Sequence, residues 1–201
     1  MIRTRSARFG LAFVAVAGLL GVGGTAAAQV PTSAPARTVV RTYDPWTHAG
    51  KLAPGVRVAR TIRGYCWTTS IAEGTANAYR CMSGNYIYDP CFAPHAGAAG
   101  VSEVACAPAP WSKVVMMRLT RRLPANSGYR PTLWALVLAG GDRCVVGTGT
   151  NGEVDGVVMF FYCNHGLAGG PSMAHEPWTV RFATSYRATH LETKAVVIGW
   201  Y

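Results

Sequence analysis

Six cysteines, at positions 66, 81, 91, 106, 144 and 163, constrain this chain more than any other feature. All of them lie downstream of an N-terminal segment with the pattern of an export signal. Arg3, Arg5 and Arg8 precede an apolar run from Phe9 to about Gly24, which ends at Ala26-Ala27-Ala28-Gln29. Positive residues, a short apolar stretch and small residues before the cut are what a secretory signal requires, with cleavage expected after Ala28. The apolar run is shorter than the roughly 20 residues that a membrane-spanning helix needs. An even number of cysteines, without a close C-x-x-C pair, in an exported chain reads as a disulfide framework and not as a metal or thiol-redox site.

The spacing narrows the pairing. Cys144 and Cys163 are equidistant from the Asn151 to Gly156 segment, an Asn-Gly…Asp-Gly turn signal between two apolar runs. If the runs pair symmetrically about that turn, the two sulfurs meet across a hairpin, as cross-strand bridging requires. Cys66 and Cys81 are equidistant from Glu73-Gly74 in the same way, which places a hairpin turn there. Cys91 and Cys106 are then left to close the loop between them, which lacks strand patterning. Each closure stabilises the fold by about 3 kcal/mol on a chain-entropy argument.

The rest of the chain reads as strands. Val56 to Cys66 alternates, with Val56, Val58, Ile62 and Cys66 on one side and Arg57, Ala59, Thr61 and Arg63 on the other. Thr132 to Ala139 and Val157 to Cys163 are short and continuously apolar, the pattern of strands covered on both faces. Trp111 to Thr120, Trp178 to Thr184 and the closing Ala195 to Tyr201 also read as strands. Gly and Pro interrupt the chain too often for long helices. The expected fold is all-β, an antiparallel sandwich or barrel with long Gly/Pro-rich loops and three disulfides, with a β-rich α+β fold as the alternative. The expected organisation is a signal peptide over 1–28, a flexible leader over 29–43 and one domain over 44–201.

The strings GYCWTTSIA, AYRCMSGNYIYDPCF and GDRC…YCN, with the closing IGWY, resemble a group of small exported actinobacterial proteins. The resemblance runs from about Gly64 to Tyr201. It implies secretion and a disulfide framework, and it carries over no activity and no site residue.

Catalytic signatures are missing from the sequence. There is no G-x-S-x-G, and Ser70, Ser83 and Ser172 stand in no equivalent setting. The histidines at 48, 95, 165, 175 and 190 are scattered. Asp89, Glu103, Asp142 and Glu176 are candidate carboxylates, but Asp89-Pro90 and Gly140-Gly141-Asp142 read as turns. No H-E-x-x-H and no acidic calcium loop occurs, so neither a metal nor a cofactor is expected. Binding candidates remain. Tyr86 and Tyr88 would share one face of a strand beside Asp89, a stacking platform next to a crosslink. Arg118, Arg121 and Arg122 cluster at a strand end, whereas Arg57, Arg60 and Arg63 do not share one face.

The formal net charge of +10 suits an anionic partner. Trp46 and Trp111, beside prolines, read as surface anchors, and Trp67 and Trp134 as core. The favoured reading is a secreted, monomeric binding module for an anionic cell-envelope polymer or an extracellular protein, with no nucleic-acid partner. A small secreted hydrolase of wall sugar, peptide or ester bonds is the alternative.

Overall fold

The computed structural model describes residues 36–95 and 100–201. The expected signal peptide, its cleavage point and residues 29–35 of the expected leader lie outside them. Among the described residues there are thirteen strands and no helix, hence none long and apolar enough to cross a membrane.

A short first strand, β1 (Val39–Arg41), is followed by a closed barrel of β2 (Val58–Thr69), β3 (Ala78–Ser83), β4 (Tyr86–Phe92), β5 (Glu103–Cys106) and β6 (Val114–Leu119). Neighbours in this barrel are antiparallel except at the closure, where β2 and β6 run parallel. The second half contributes β7 (Ala135–Leu138), β8 (Arg143–Val146), β9 (Glu153–Val154), β10 (Val157–Cys163), β11 (Gly166–Gly169), β12 (Thr179–Ala183) and β13 (Glu192–Trp200). The path β13-β12-β11-β10-β8-β7 is joined end to end by the β13–β7 pairing, so these strands also close into a ring. Closure removes exposed sheet edges, which all-β proteins must otherwise protect.

The sheet begins earlier than the boundary at 44 read from the sequence. β1 pairs parallel to β13, matching Val39 to Ile198 and Arg41 to Trp200. Thr38 fastens this entry: its hydroxyl donates to the Val196 carbonyl and accepts the Trp178 N–H, at 2.8 and 2.9 Å. The Pro/Ser/Thr composition that suggests a mobile leader therefore gives way to backbone pairing several residues before Asp44.

Three apolar layers follow from strand alternation. Inside the first barrel, Cys66, Tyr79, Cys81, Cys91, Val104, Cys106 and Met117 pack together. Inside the second, Leu136, Leu138, Cys144, Phe161, Phe182 and Val196 do the same. Between them lies a shared layer in which Phe92, Ala105, Val114 and Met116 meet Trp134, Ala135, Val137 and Trp200. Tyr43, Phe92 and Trp134 contact one another there, with ring centroids 5.5–6.1 Å apart. β7 is buried at every position because its faces line the second barrel and the shared layer. β10 is not covered on both faces as expected: Val158, Phe160 and Tyr162 are exposed, because this strand lies away from the shared layer.

All three expected disulfides form, each between register partners on adjacent strands: Cys66–Cys81, Cys91–Cys106 and Cys144–Cys163. The turns that suggested two of them are different. The tight turn after β9 is Asp155-Gly156, both with positive φ (49° and 73°), as a two-residue hairpin demands. Residues 147–152 loop out before it, yet the β8–β10 register, with Val146 opposite Phe161 and Cys144 opposite Cys163, keeps its symmetry about the midpoint of Asn151 and Gly156. Glu73-Gly74 is not an exposed turn either. The β2–β3 register slips between Cys66 and Thr68, and Glu73 is 1% exposed within the connecting loop.

The tryptophans also redistribute. Trp46 is buried and donates its indole N–H to the Phe92 carbonyl at 2.8 Å, so it anchors the interior and not a partner. Trp67 is 40% exposed, because it occupies the outward parity of β2. Trp134 is buried as expected.

Candidate functional site

The parallel closure of the first barrel sets charges side by side. Register partners share a face, so Arg63 on β2 lies opposite Arg118 on β6, and Arg118 lies opposite Glu103 on β5. Both arginines are exposed and Glu103 is half-buried. With Ser102 and Leu119 they line a shallow recess of about 310 Å³. Beyond the strand end, Thr120 returns to the seam through its backbone N–H and its hydroxyl, both donating to the Gly64 carbonyl at 2.8 and 3.0 Å. That anchor starts the loop carrying Arg121, whose guanidinium lies 4.1 Å from the Tyr65 ring centroid. A cation on an aromatic face is restrained yet keeps its outer side free. Arg122 is exposed beside it.

Three arginines from two distant chain segments thus converge, with Glu103 as the one carboxylate in their row. Arg118 and Arg121 were legible as candidates; Arg63 was missed as their partner. Gly64, between Arg63 and Tyr65, lets the barrel close here. A Cβ at this position would lie 2.3 Å from the Met82 carbonyl oxygen and 2.7 Å from the Met117 sulfur. Arg60 leaves the row, because its side chain donates to the Tyr88 hydroxyl at 3.2 Å.

The other candidate group does not form a single platform. Tyr86 is 73% exposed at the β3–β4 hairpin, whereas Tyr88 is half-buried against the apolar interior of the first barrel. Asp89 has the opposite parity on β4, and its side chain shows no surface to solvent. It accepts hydrogen bonds from the Ser70 hydroxyl at 2.5 Å and the Ile71 N–H at 3.2 Å. Burial pushes its carboxyl above the ordinary range, opposed by the hydrogen bonds from Ser70 and Ile71 and by the Arg80 charge. Ser70 is equally committed. Its hydroxyl accepts the Ala72 and Glu73 N–H groups, and its carbonyl accepts the Tyr129 hydroxyl at 2.7 Å. Among the described residues no histidine is a hydrogen-bond partner of Ser70, and these bonds tie the loop between β2 and β3 to β4.

A second polar cluster joins turns of the other barrel. Asp142 accepts from Lys194 Nζ at 2.8 Å and meets His165 Nδ1 at 3.0 Å. Burial pushes the Asp142 carboxyl up, but the hydrogen bonds and charges of Lys194 and His165 outweigh it, so it sits below the ordinary range. Lys194 also lies 3.6 Å from the Phe182 ring centroid. Every charged atom here has a partner, which suits a structural tie. Glu176 plays a similar part, accepting the Thr38 N–H at 2.8 Å.

The sulfurs of Cys81, Cys91 and Cys106 lie within 4.8 Å of one another, close enough for a metal set, yet each is bound in a disulfide and offers no thiolate. What the arginine row can do chemically is attract and orient anions through charge-assisted hydrogen bonds. The chain matches no protein-family profile, no curated protein and no solved structure.

Proposed function

We propose that this chain is a disulfide-braced binding module of the cell exterior that holds polymers of repeating anionic groups on the Arg63–Arg118–Arg121 face. The observation that carries the reading is the opposition of Arg63 and Arg118 across the β2–β6 seam. Like charges on register partners cost stability, and one carboxylate in the row leaves an excess of positive charge that a bound anion relieves. Guanidinium groups suit this task because their planar donors take carboxylate or phosphate two atoms at a time.

The exterior location draws support from two sources: the three disulfides and the export pattern before Ala28. Non-enzymatic binding is favoured because the buried Ser70–Asp89 pair and the paired Asp142 are both spent on holding loops together.

The test is retention of the purified protein on an immobilised polyanion, such as polygalacturonate, across a salt series. Retention that falls steeply with salt, and falls further in Arg63→Glu and Arg118→Glu, supports the reading. Equal retention of wild type and both variants at every salt concentration would remove it.

A further inference from the structure

Charge and aromatic surface meet a second time at the opposite end of the same seam. Just before β2 and β6, Arg57 and Lys113 are brought together because the Val114 N–H donates to the Arg57 carbonyl at 2.9 Å. Both side chains are exposed, and both line a recess of about 420 Å³. This volume falls within the roughly 300–1,000 Å³ range of small-ligand pockets. Tyr43 and Trp111 form its aromatic lining, and none of the described residues lining it is acidic. Asp44 is the neighbouring acid in the chain, and its carboxylate accepts the Trp46 N–H at 2.9 Å.

Trp111 is held in place. Its ring meets Trp200 edge to face, with centroids 5.4 Å apart, and the Arg143 guanidinium lies 5.7 Å from its centroid. Arg143 thereby brings a third positive charge to the same indole. The Tyr43 phenol is pushed up to about 12, by burial first and by Asp44 second, so it remains an O–H at any physiological pH. The recess therefore offers a fixed indole, a neutral phenol and two to three cations.

We infer that this recess is a subsite for one acidic sugar unit, with the sugar ring against Trp111 and its carboxylate or phosphate held by Arg57 and Lys113. A pyranose ring suits an aromatic wall because its C–H faces are apolar while its hydroxyls stay wet at the rim. Point cations beside the ring select the charged sugar over the neutral one. The inference rests on the proposed function and names the repeat unit of the polymer: the basic row takes successive charges, and the recess takes one ring.

The experiment follows the tryptophan indole N–H signals by NMR while trigalacturonate, glucose 6-phosphate, neutral trigalactose or adenosine 5′-monophosphate is added to the full mature protein. Trp111→Phe assigns the reporting signal. Charge is tested with the double variant Arg57→Glu/Lys113→Glu, and space with Ser112→Phe, which fills the recess without removing the Trp111–Trp200 packing. The expected result is saturable movement of the Trp111 signal by an acidic sugar, with at least about tenfold weaker response to trigalactose and a comparable loss in either variant. A stronger response to trigalacturonate than to glucose 6-phosphate assigns a carboxylate, and the reverse assigns a phosphate.

Equal response to acidic and neutral sugars overturns the inference, as does a silent Trp111 or tighter binding of the nucleotide. Silence at Trp111, with salt-sensitive polyanion retention that still depends on Arg63 and Arg118, removes the subsite and leaves the proposed function standing. Loss of retention in neither basic-row variant, with a responsive Trp111, does the reverse.

Discussion

Asp89 accepts a 2.5 Å hydrogen bond from the Ser70 hydroxyl while its own side chain is wholly shielded from solvent. The pair joins β4 to the loop after β2, and Tyr129 extends it by donating to the Ser70 carbonyl. Two acceptor bonds from neutral donors and a guanidinium Nε at 3.9 Å leave the carboxylate incompletely compensated, so burial raises its pKa.

The sign of the resulting pH dependence follows directly. A carboxyl raised in the folded state binds more protons there than in the unfolded chain. Its contribution to stability is greatest at low pH and is lost as pH rises from the unfolded value near 3.8 through the folded value. Asp89→Asn keeps an acceptor for Ser70 without a charge and loses only the one for the Ile71 N–H, whereas Asp89→Ala leaves both the Ser70 hydroxyl and the Ile71 N–H unpaired. We expect the Asn variant to be at least about 1 kcal/mol more stable than the Ala variant at neutral pH. Urea unfolding from pH 3.5 to 7.5 checks both points. Wild type minus Asp89→Asn should decline with rising pH, and a difference that grows instead would contradict the assignment.

Asp142 has the opposite sign. Lys194 and His165 hold its carboxyl below the ordinary value of 3.8, so its stabilisation is present above that value and is lost as pH falls through the folded pKa. Asp142→Asn should therefore lose less stability than wild type as pH falls below the ordinary value of 3.8. At neutral pH the same variant should be destabilised by about 1–3 kcal/mol, because Lys194 loses its nearer anionic partner at a half-buried site and keeps only Glu192 at 4.0 Å. Thermal unfolding at two pH values separates these effects. A neutral-pH loss that disappears in Lys194→Met would confirm the pair as its source.

The disulfides make a third prediction. Each bridge closes 15 or 19 residues of chain, so replacing both cysteines of one pair with alanine should cost about 3 kcal/mol. Loss of Cys91–Cys106 should be the most severe, because its sulfurs pack against Cys81 at the centre of the first barrel and their removal also leaves a cavity. Loss of Cys144–Cys163 should be milder, since Cys163 is only partly buried. Unfolding midpoints of the three double-alanine proteins rank these costs, and non-reducing peptide mapping of the wild type should recover the three pairs.

What the sequence made legible was local. Cys144 and Cys163 could be paired because a turn signal sits midway between them, and the pairing holds even though the tight turn is Asp155-Gly156. The apolar run around Leu136 could be read as doubly covered because strand alternation fails there in a visible way. Contacts between distant segments were not legible. Nothing within 12 residues of Arg63 announces that β2 will pair in parallel with β6, which sets Arg63 beside Arg118 across 55 positions. The burial of Glu73 and Trp46 was hidden for the same reason, since a turn-like string and a Pro-Trp dipeptide show nothing of the partner that covers them. Asp89 was grouped with Tyr86 and Tyr88. Its parity on β4 turns it to the other side, where Ser70 waits.

The arginine row separates binding from stability. Arg63→Glu puts an acid opposite Arg118, replacing a repulsion with an attraction on register partners. Because both side chains are exposed, the gain is small, and we expect a stability at or slightly above wild type by no more than about 0.5 kcal/mol. The same substitution removes one cation and adds an anion within the row, so polyanion retention should fall sharply and its salt dependence should flatten. Arg63→Lys should lie between, keeping the charge while losing the planar donor pair. If the row were only a solvated surface, Arg63→Glu would leave retention unchanged. If it braced the barrel, the variant would unfold at lower temperature. Retention lost without stability lost is the outcome that neither of those accounts produces, and measuring both on one preparation of the variant decides among the three.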